Sequence, residues 1–120
     1  MRPSRIRDFD MNDFNKIGQV IALYEENYFT GGFSEWVIKD DLQNRKSMDA
    51  LSTMGSSGKQ TYRLAEKKRF YVEEFSNGWN WINAALNEVR AHQPWDSMLI
   101  SRCERCRDQA KKLLDIVQNF

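Results

Sequence analysis

Cys103-Glu104-Arg105-Cys106 is the group in this chain with the most familiar chemistry. Two thiols at this spacing can share a metal ion or cycle through a disulfide. Zinc takes four ligands, usually from two such pairs or from one pair with two His. This chain has two Cys and a single His, His92, eleven residues before Cys103. One copy therefore cannot close a structural zinc site, and an ion shared between two copies is the metal arrangement this count leaves open. A redox motif of the thioredoxin kind sits at a helix N-terminus, where the helix dipole lowers the thiol pKa. Here both Cys fall one or two turns inside a helical pattern, on its apolar seam. The reading is two buried structural cysteines, with no metal ligand and no cofactor.

Gly55-Ser56-Ser57-Gly58-Lys59-Gln60-Thr61 has some of the ingredients of a phosphate loop. The Walker pattern needs four residues between its glycines, Ser or Thr directly after the Lys, and a preceding strand. None of these conditions is met. A helix-turn-helix centred here would need a turn of three or four residues with apolar packing positions, and Ser56 and Ser57 do not supply them. The segment reads as a surface loop. His92, beside Pro94, reads as a solvated or capping residue at a helix end. Glu25-Glu26, Asp40-Asp41 and Glu73-Glu74 are neighbours on helices, where adjacent side chains point about 100° apart and do not share a site. No Ser or Thr has the context of an activated nucleophile. We name no catalytic residue, and the chain is read as a protein other than an enzyme.

What remains is recognition chemistry. On the third helix Arg63, Phe70, Glu74 and Trp81 fall on one stripe, about 80° around from the main apolar line. Large apolar groups among charges are typical of protein interfaces, where Trp, Tyr and Arg dominate binding energy. That stripe is the candidate partner-binding face, unless the helix is buried on two sides. The alternative is nucleic-acid binding by Lys59, Arg63, Lys67 and Lys68, helped by Arg5 and Arg7. Cations would meet phosphate, and Tyr62, Phe70 and Tyr71 would stack on bases. Glu66 and the Glu73-Glu74 pair dilute that basic segment.

The elements that position these groups are helices. Phe14, Ile17, Val20, Ile21, Tyr24 and Tyr28 recur at helical spacing from a start near Asp10 or Asn12, and Gly31-Gly32 should close that helix in left-handed conformation. Ser34 is a candidate N-cap for a second helix carrying Trp36, Val37, Ile38, Leu42, Met48 and Leu51, with Ser47 a possible break. A long third helix runs from about Thr61 to Ala91 on Leu64, Tyr71, Phe75, Trp79, Ile82, Leu86 and Val89. Gly78 could kink it, since glycine inside a helix costs roughly 1 kcal/mol against Ala. Pro94 ends it. The last helix starts at Asp96 or Ser97, and Leu99, Cys103, Cys106, Ala110, Leu113 and Val117 step by four and three in alternation, a heptad-like seam. Small residues in the middle of the seam favour a close helix approach.

The expected fold is all-α: an antiparallel bundle of four main helices with a Gly/Ser-rich loop near 55–60. Residues 1–9 read as a flexible basic arm and 10–120 as one domain. At 120 residues the chain can bury a core without disulfide or metal. Its net charge of +1 is not the clearly basic balance of a general nucleic-acid binder. Charge is mildly segregated, with six acids against three bases over 21–54 and five bases against three acids over 55–74. No apolar run reaches the ~20 residues of a membrane span, and no signal-peptide pattern follows the basic start, so a cytoplasmic protein is expected. The function expected is a protein-interaction module, a small adaptor, inhibitor or regulator, with a homodimer among its possible assemblies. Compact chains without familiar motifs are common among phage and mobile-element proteins.

Overall fold

In the computed structural model the backbone is described over residues 14–55 and 63–120, and the side chains over 16–51 and 63–120. The fold is all-α, a bundle of four helices: α1 (Phe14–Glu25), α2 (Glu35–Gly55), α3 (Arg63–His92) and α4 (Ser97–Gln118). The expected arm at 1–9 and the helix start at Asp10 or Asn12 lie outside the described residues, as does the loop expected near 55–60 except for Gly55, which is the last residue of α2.

The pairing of side chains gives the directions. Asp41 accepts a hydrogen bond from the Tyr71 hydroxyl at 2.6 Å, and the Asp49 carboxylate accepts from the Leu64 N–H at 3.1 Å, so α2 and α3 are antiparallel. The Asp49 contact also satisfies one of the free N–H groups in the first turn of α3. Arg90 pairs with Glu104 at 2.6 Å, which makes α3 and α4 a second antiparallel pair. α1 also runs against α3: Tyr24 meets Trp81, and Tyr28 meets Phe75 one turn and a half earlier, with ring centroids 5.9 and 5.8 Å apart. α1 and α2 therefore form one interrupted layer. α1 covers the C-terminal half of α3, and α2 covers the N-terminal half. α4 packs along the C-terminal part of α3 and reaches α2 at Glu35–Lys112 and Lys46–Phe120. The molecule extends over 59 × 23 × 20 Å.

The break between α1 and α2 is built from local chemistry. After Glu25 the helix widens into a five-residue π-turn, Glu26–Thr30, which puts Tyr28 in the core and Phe29 at the surface. Gly31 follows with φ −101° and ψ −152°, which is not the left-handed cap expected. Glycine is needed for closeness instead: a Cβ at Gly31 would lie 2.8 Å from the Glu26 carbonyl oxygen and 3.1 Å from the Asn27 Cα. The Ser34 carbonyl accepts from the Ile38 N–H, as the residue before a helix should, while its hydroxyl donates back to the Gly31 carbonyl at 2.7 Å. α2 is unbroken through Ser47. Among the described apolar side chains of α2 only Ile38 and Leu42 are fully buried, whereas Trp36 and Leu51 are each 70% exposed.

α3 is also unbroken through Gly78. Gly78 is buried where Tyr24 and Tyr28 cross the helix, and a Cβ there would collide with the Tyr28 hydroxyl. The glycine is a seat for the tyrosine. α4 begins as expected: Asp96 is the N-cap, and its carboxylate accepts from the Leu99 N–H at 3.1 Å. Every residue of the expected α4 seam is buried.

Candidate functional site

The two cysteines are the first groups to place. Cys103 and Cys106 are both free and buried in the α1–α4 contact, where the Cys106 thiol faces the Ile21 carbonyl at 4.0 Å. Burial pushes the Cys103 thiol up to about 11 and the Cys106 thiol up to about 12. Arg102 stands close but is held by Glu25 in a two-toothed ion pair, at 2.7 Å at its shortest. These are poor nucleophiles, because the thiolate is the reactive form. Among the described residues no group of three or more His, Cys, Asp or Glu is arranged to hold a metal. Two results are expected. At pH 8 a thiol reagent should modify the native chain at least ~100-fold more slowly than the denatured chain, since access requires opening. The ordinary thiol value is 9.0 and both folded values lie above it. Their contribution to stability is therefore whole below about pH 9 and is lost as pH rises through the folded values near 11 and 12. Thiol titration and alkaline unfolding followed by circular dichroism check both; rapid native modification would put the cysteines at a surface.

The expected partner-binding stripe divides. Phe70 is 43% exposed, and Arg63 and Glu74 are half-buried, but Trp81 is only 7% exposed and packs on Tyr24. Trp81 is thus a core residue and leaves the candidate surface. The physical reason is the interrupted layer: α1 lies over Trp81, and no described side chain of α2 covers Phe70 to the same extent. His92 is exposed in the last turn of α3, near Glu88 at 3.5 Å.

Of the basic set, Arg5, Arg7 and Lys59 lie outside the described residues. The Lys67 ammonium lies over the rings of Phe70 and Tyr71, at 4.7 and 5.0 Å from their centroids. Tyr71 is buried, stacked on Phe75 and bonded to Asp41. Burial, and then that bond, raise its hydroxyl far above the usual phenol range. It is a structural tyrosine with no face free for a base, which leaves Phe70 as the exposed aromatic ring of the described basic segment.

Two exposed residues, Trp36 and Phe120, define a better formed site. Trp36 on α2 and Phe120 after α4 line an open groove of about 720 Å³ together with Ile116, Lys39, Asp40, Gln43 and Asn119. The groove continues past Trp36 and Lys39 into a second depression of about 320 Å³ beside Phe29, Glu35 and Gln109. Glu35 faces Lys39 and Lys112 at 3.7 and 3.5 Å, and Arg105 stacks over Phe29 at 5.1 Å. Along α4 the trough runs from Gln109 to Phe120, about 16 Å at the helical rise. At about 100° per residue Trp36 stands about 160° and 120° around α2 from the buried Ile38 and Leu42, which already turns it to the outer face of that helix.

Among the described residues no helix is long and apolar enough to cross a membrane. No protein-family model, no curated protein and no solved structure matches the chain.

Proposed function

We propose that this chain is a non-enzymatic protein-interaction module of the cytoplasm, a small adaptor or regulator that takes an amphipathic partner helix in the α2–α4 groove. The observation that carries this reading is Trp36, 70% exposed on the rim of an apolar trough. Large exposed aromatics beside a concave apolar surface are the usual anchors of binding energy. A helix laid in a groove reads out side chains three and four residues apart, and about 16 Å holds roughly three turns. Lys39 between Asp40 and Glu35 along the trough would set its orientation through charge.

A second reading, nucleic-acid binding, is favoured by the start of α3, where Arg63, Lys67, Lys68 and Arg69 stand against the single carboxylate of Glu66.

Site-specific photo-crosslinking in cells tests the first reading. A photoreactive residue at Gln43, in the groove, should capture a discrete partner that the same residue at Asn87, an exposed position on α3, does not. Trp36→Ala should abolish that capture. Because Trp36 is mostly exposed, the stability of the variant should stay within about 1 kcal/mol of the parent. Identical products from Gln43 and Asn87, or capture that survives Trp36→Ala, would remove the groove as the docking surface.

A further inference from the structure

We infer that the N-terminal half of α3 carries a self-recognition seam, on which a second copy of this chain docks antiparallel. Four residues make it: Arg63, Lys67, Phe70 and Glu74. They step by four, three and four, which keeps them on one side of a helix. The same steps also read identically in both directions. An antiparallel α3 from a second copy therefore brings Arg63 opposite Glu74 of that copy, Lys67 opposite its Phe70, and the reverse of each. Every cross-pair is attractive: two cation–carboxylate pairs and two cation–ring pairs. The second of these contacts is already of a kind this sequence makes, since Lys67 lies over Phe70 within one chain. Parallel docking has no such match, because it sets Arg63 against Arg63 and Lys67 against Lys67.

The neighbouring surface supports the same occupant. Met48 lies two helical turns after Asp41, on the same line of α2, and Leu51 follows one turn on. Asp41 is the residue that takes the Tyr71 hydroxyl, and the Phe70 ring lies 5.6 Å from that of Tyr71. Met48, Leu51 and Phe70 thus stand along one flank of the α2–α3 pair, at 43, 70 and 43% exposure. Among the described residues of 43–51 and 63–70, none is fully buried. Among the described residues, this part is two helices without the third that α4 supplies elsewhere. An isologous contact between two such hairpins gives each the missing layer. Lys68 and Arg69, the remaining cations of the segment, sit about 130° around α3 from the seam and do not meet in the contact. The α2–α4 groove lies on the other side of α2, so the seam and the groove stand or fall separately.

Charge reversal tests the seam. The mass of the full chain is measured by light scattering and sedimentation over a concentration series. The parent should reach dimer mass. Arg63→Glu and Glu74→Arg should each raise the dissociation constant at least tenfold, with helical content unchanged by circular dichroism. Equal mixing of these two weakened variants should restore the parent's affinity, because both ends of the mixed pair again set a carboxylate against a guanidinium. Trp36→Ala should leave the dimer intact. If Glu74→Arg unfolds the chain, Arg63→Glu and Phe70→Ser must each still weaken association. A parent that stays monomeric at millimolar concentration overturns the proposal, as do reversals without effect or mixtures that fail to recover. Mass gained only when a DNA or RNA duplex is added would assign the cations to phosphate and also overturn it.

Discussion

Trp81→Ala is expected to cost roughly 3–5 kcal/mol, the range for removing a large aromatic from a packed core. Phe70→Ala, eleven residues away on the same stripe, should cost about 1 kcal/mol or less, since much of its ring is in solvent. The contrast follows from what covers each residue, because their own chemistry is similar. Trp81 has Tyr24 of α1 over it, 5.9 Å between ring centroids, and its indole N–H is buried without a hydrogen-bond partner. An unpaired buried donor is itself unfavourable by roughly 1–3 kcal/mol. Trp81→Phe should therefore be far milder than Trp81→Ala, because the lost volume is partly offset by removal of that N–H. Urea unfolding of the three variants decides the matter. Equal, small losses for Trp81→Ala and Phe70→Ala would return Trp81 to the surface.

Gly78→Ala is the second large effect, and its sign runs against helix propensity. In the middle of a long helix, alanine for glycine should stabilise by about 1 kcal/mol. Here the added methyl would meet the Tyr28 hydroxyl. Tyr28 cannot turn aside cheaply: it is 1% exposed, with Tyr24 and Phe75 against its ring at 5.2 and 5.8 Å. Overpacking costs about 1–3 kcal/mol, and more where the contact is as close as this one, against about 1 kcal/mol of propensity gain, so the variant should be net destabilised. Tyr28→Phe removes the colliding oxygen. The double variant Tyr28→Phe with Gly78→Ala should recover much of the loss, and a double-mutant cycle from thermal or urea unfolding would read that coupling. A stabilised Gly78→Ala single variant would mean that α1 does not press on α3 at this point.

These two residues also mark how far the sequence can be read. The α4 seam is fully legible, because a helix packed on one side writes its contact directly into its apolar spacing. Cys103 and Cys106 sit on that seam, and their burial follows from it. Gly78 is visible as a helix glycine, but its reason is not, since that depends on a tyrosine fifty residues earlier in the chain. Phe70 and Trp81 share one angular position on α3 and have opposite fates. Helical spacing gives the angle of a residue about its own axis, and it does not say where along that axis a neighbour ends. α2 is a different case, since Trp36 and Leu51 lie about 120–180° around its axis from Ile38 and Leu42. Ile38, Leu42, Trp36 and Leu51 are all apolar, and only the first two meet the core. The α2–α4 groove is illegible for another reason: spacing puts Trp36 on the outer face of α2, and only the place of Ile116 and Phe120 beside it turns that face into a groove wall. Gly31-Gly32 does mark a stop between helices, by a mechanism other than the left-handed cap, as the backbone angles of Gly31 show.

The interrupted α1–α2 layer has a hydrodynamic consequence. Laying two helices end to end against α3 makes the molecule more than twice as long as it is wide, at 59 × 23 × 20 Å. Friction grows with axial ratio at constant mass. A single copy should therefore diffuse more slowly, and leave a sizing column earlier, than a sphere of 14.2 kDa. Column position alone would then exaggerate the number of chains in a particle. Tumbling is anisotropic as well: N–H vectors along α3 lie close to the long axis and reorient with its slow end-over-end motion, while vectors across that axis also sense the faster spin about it.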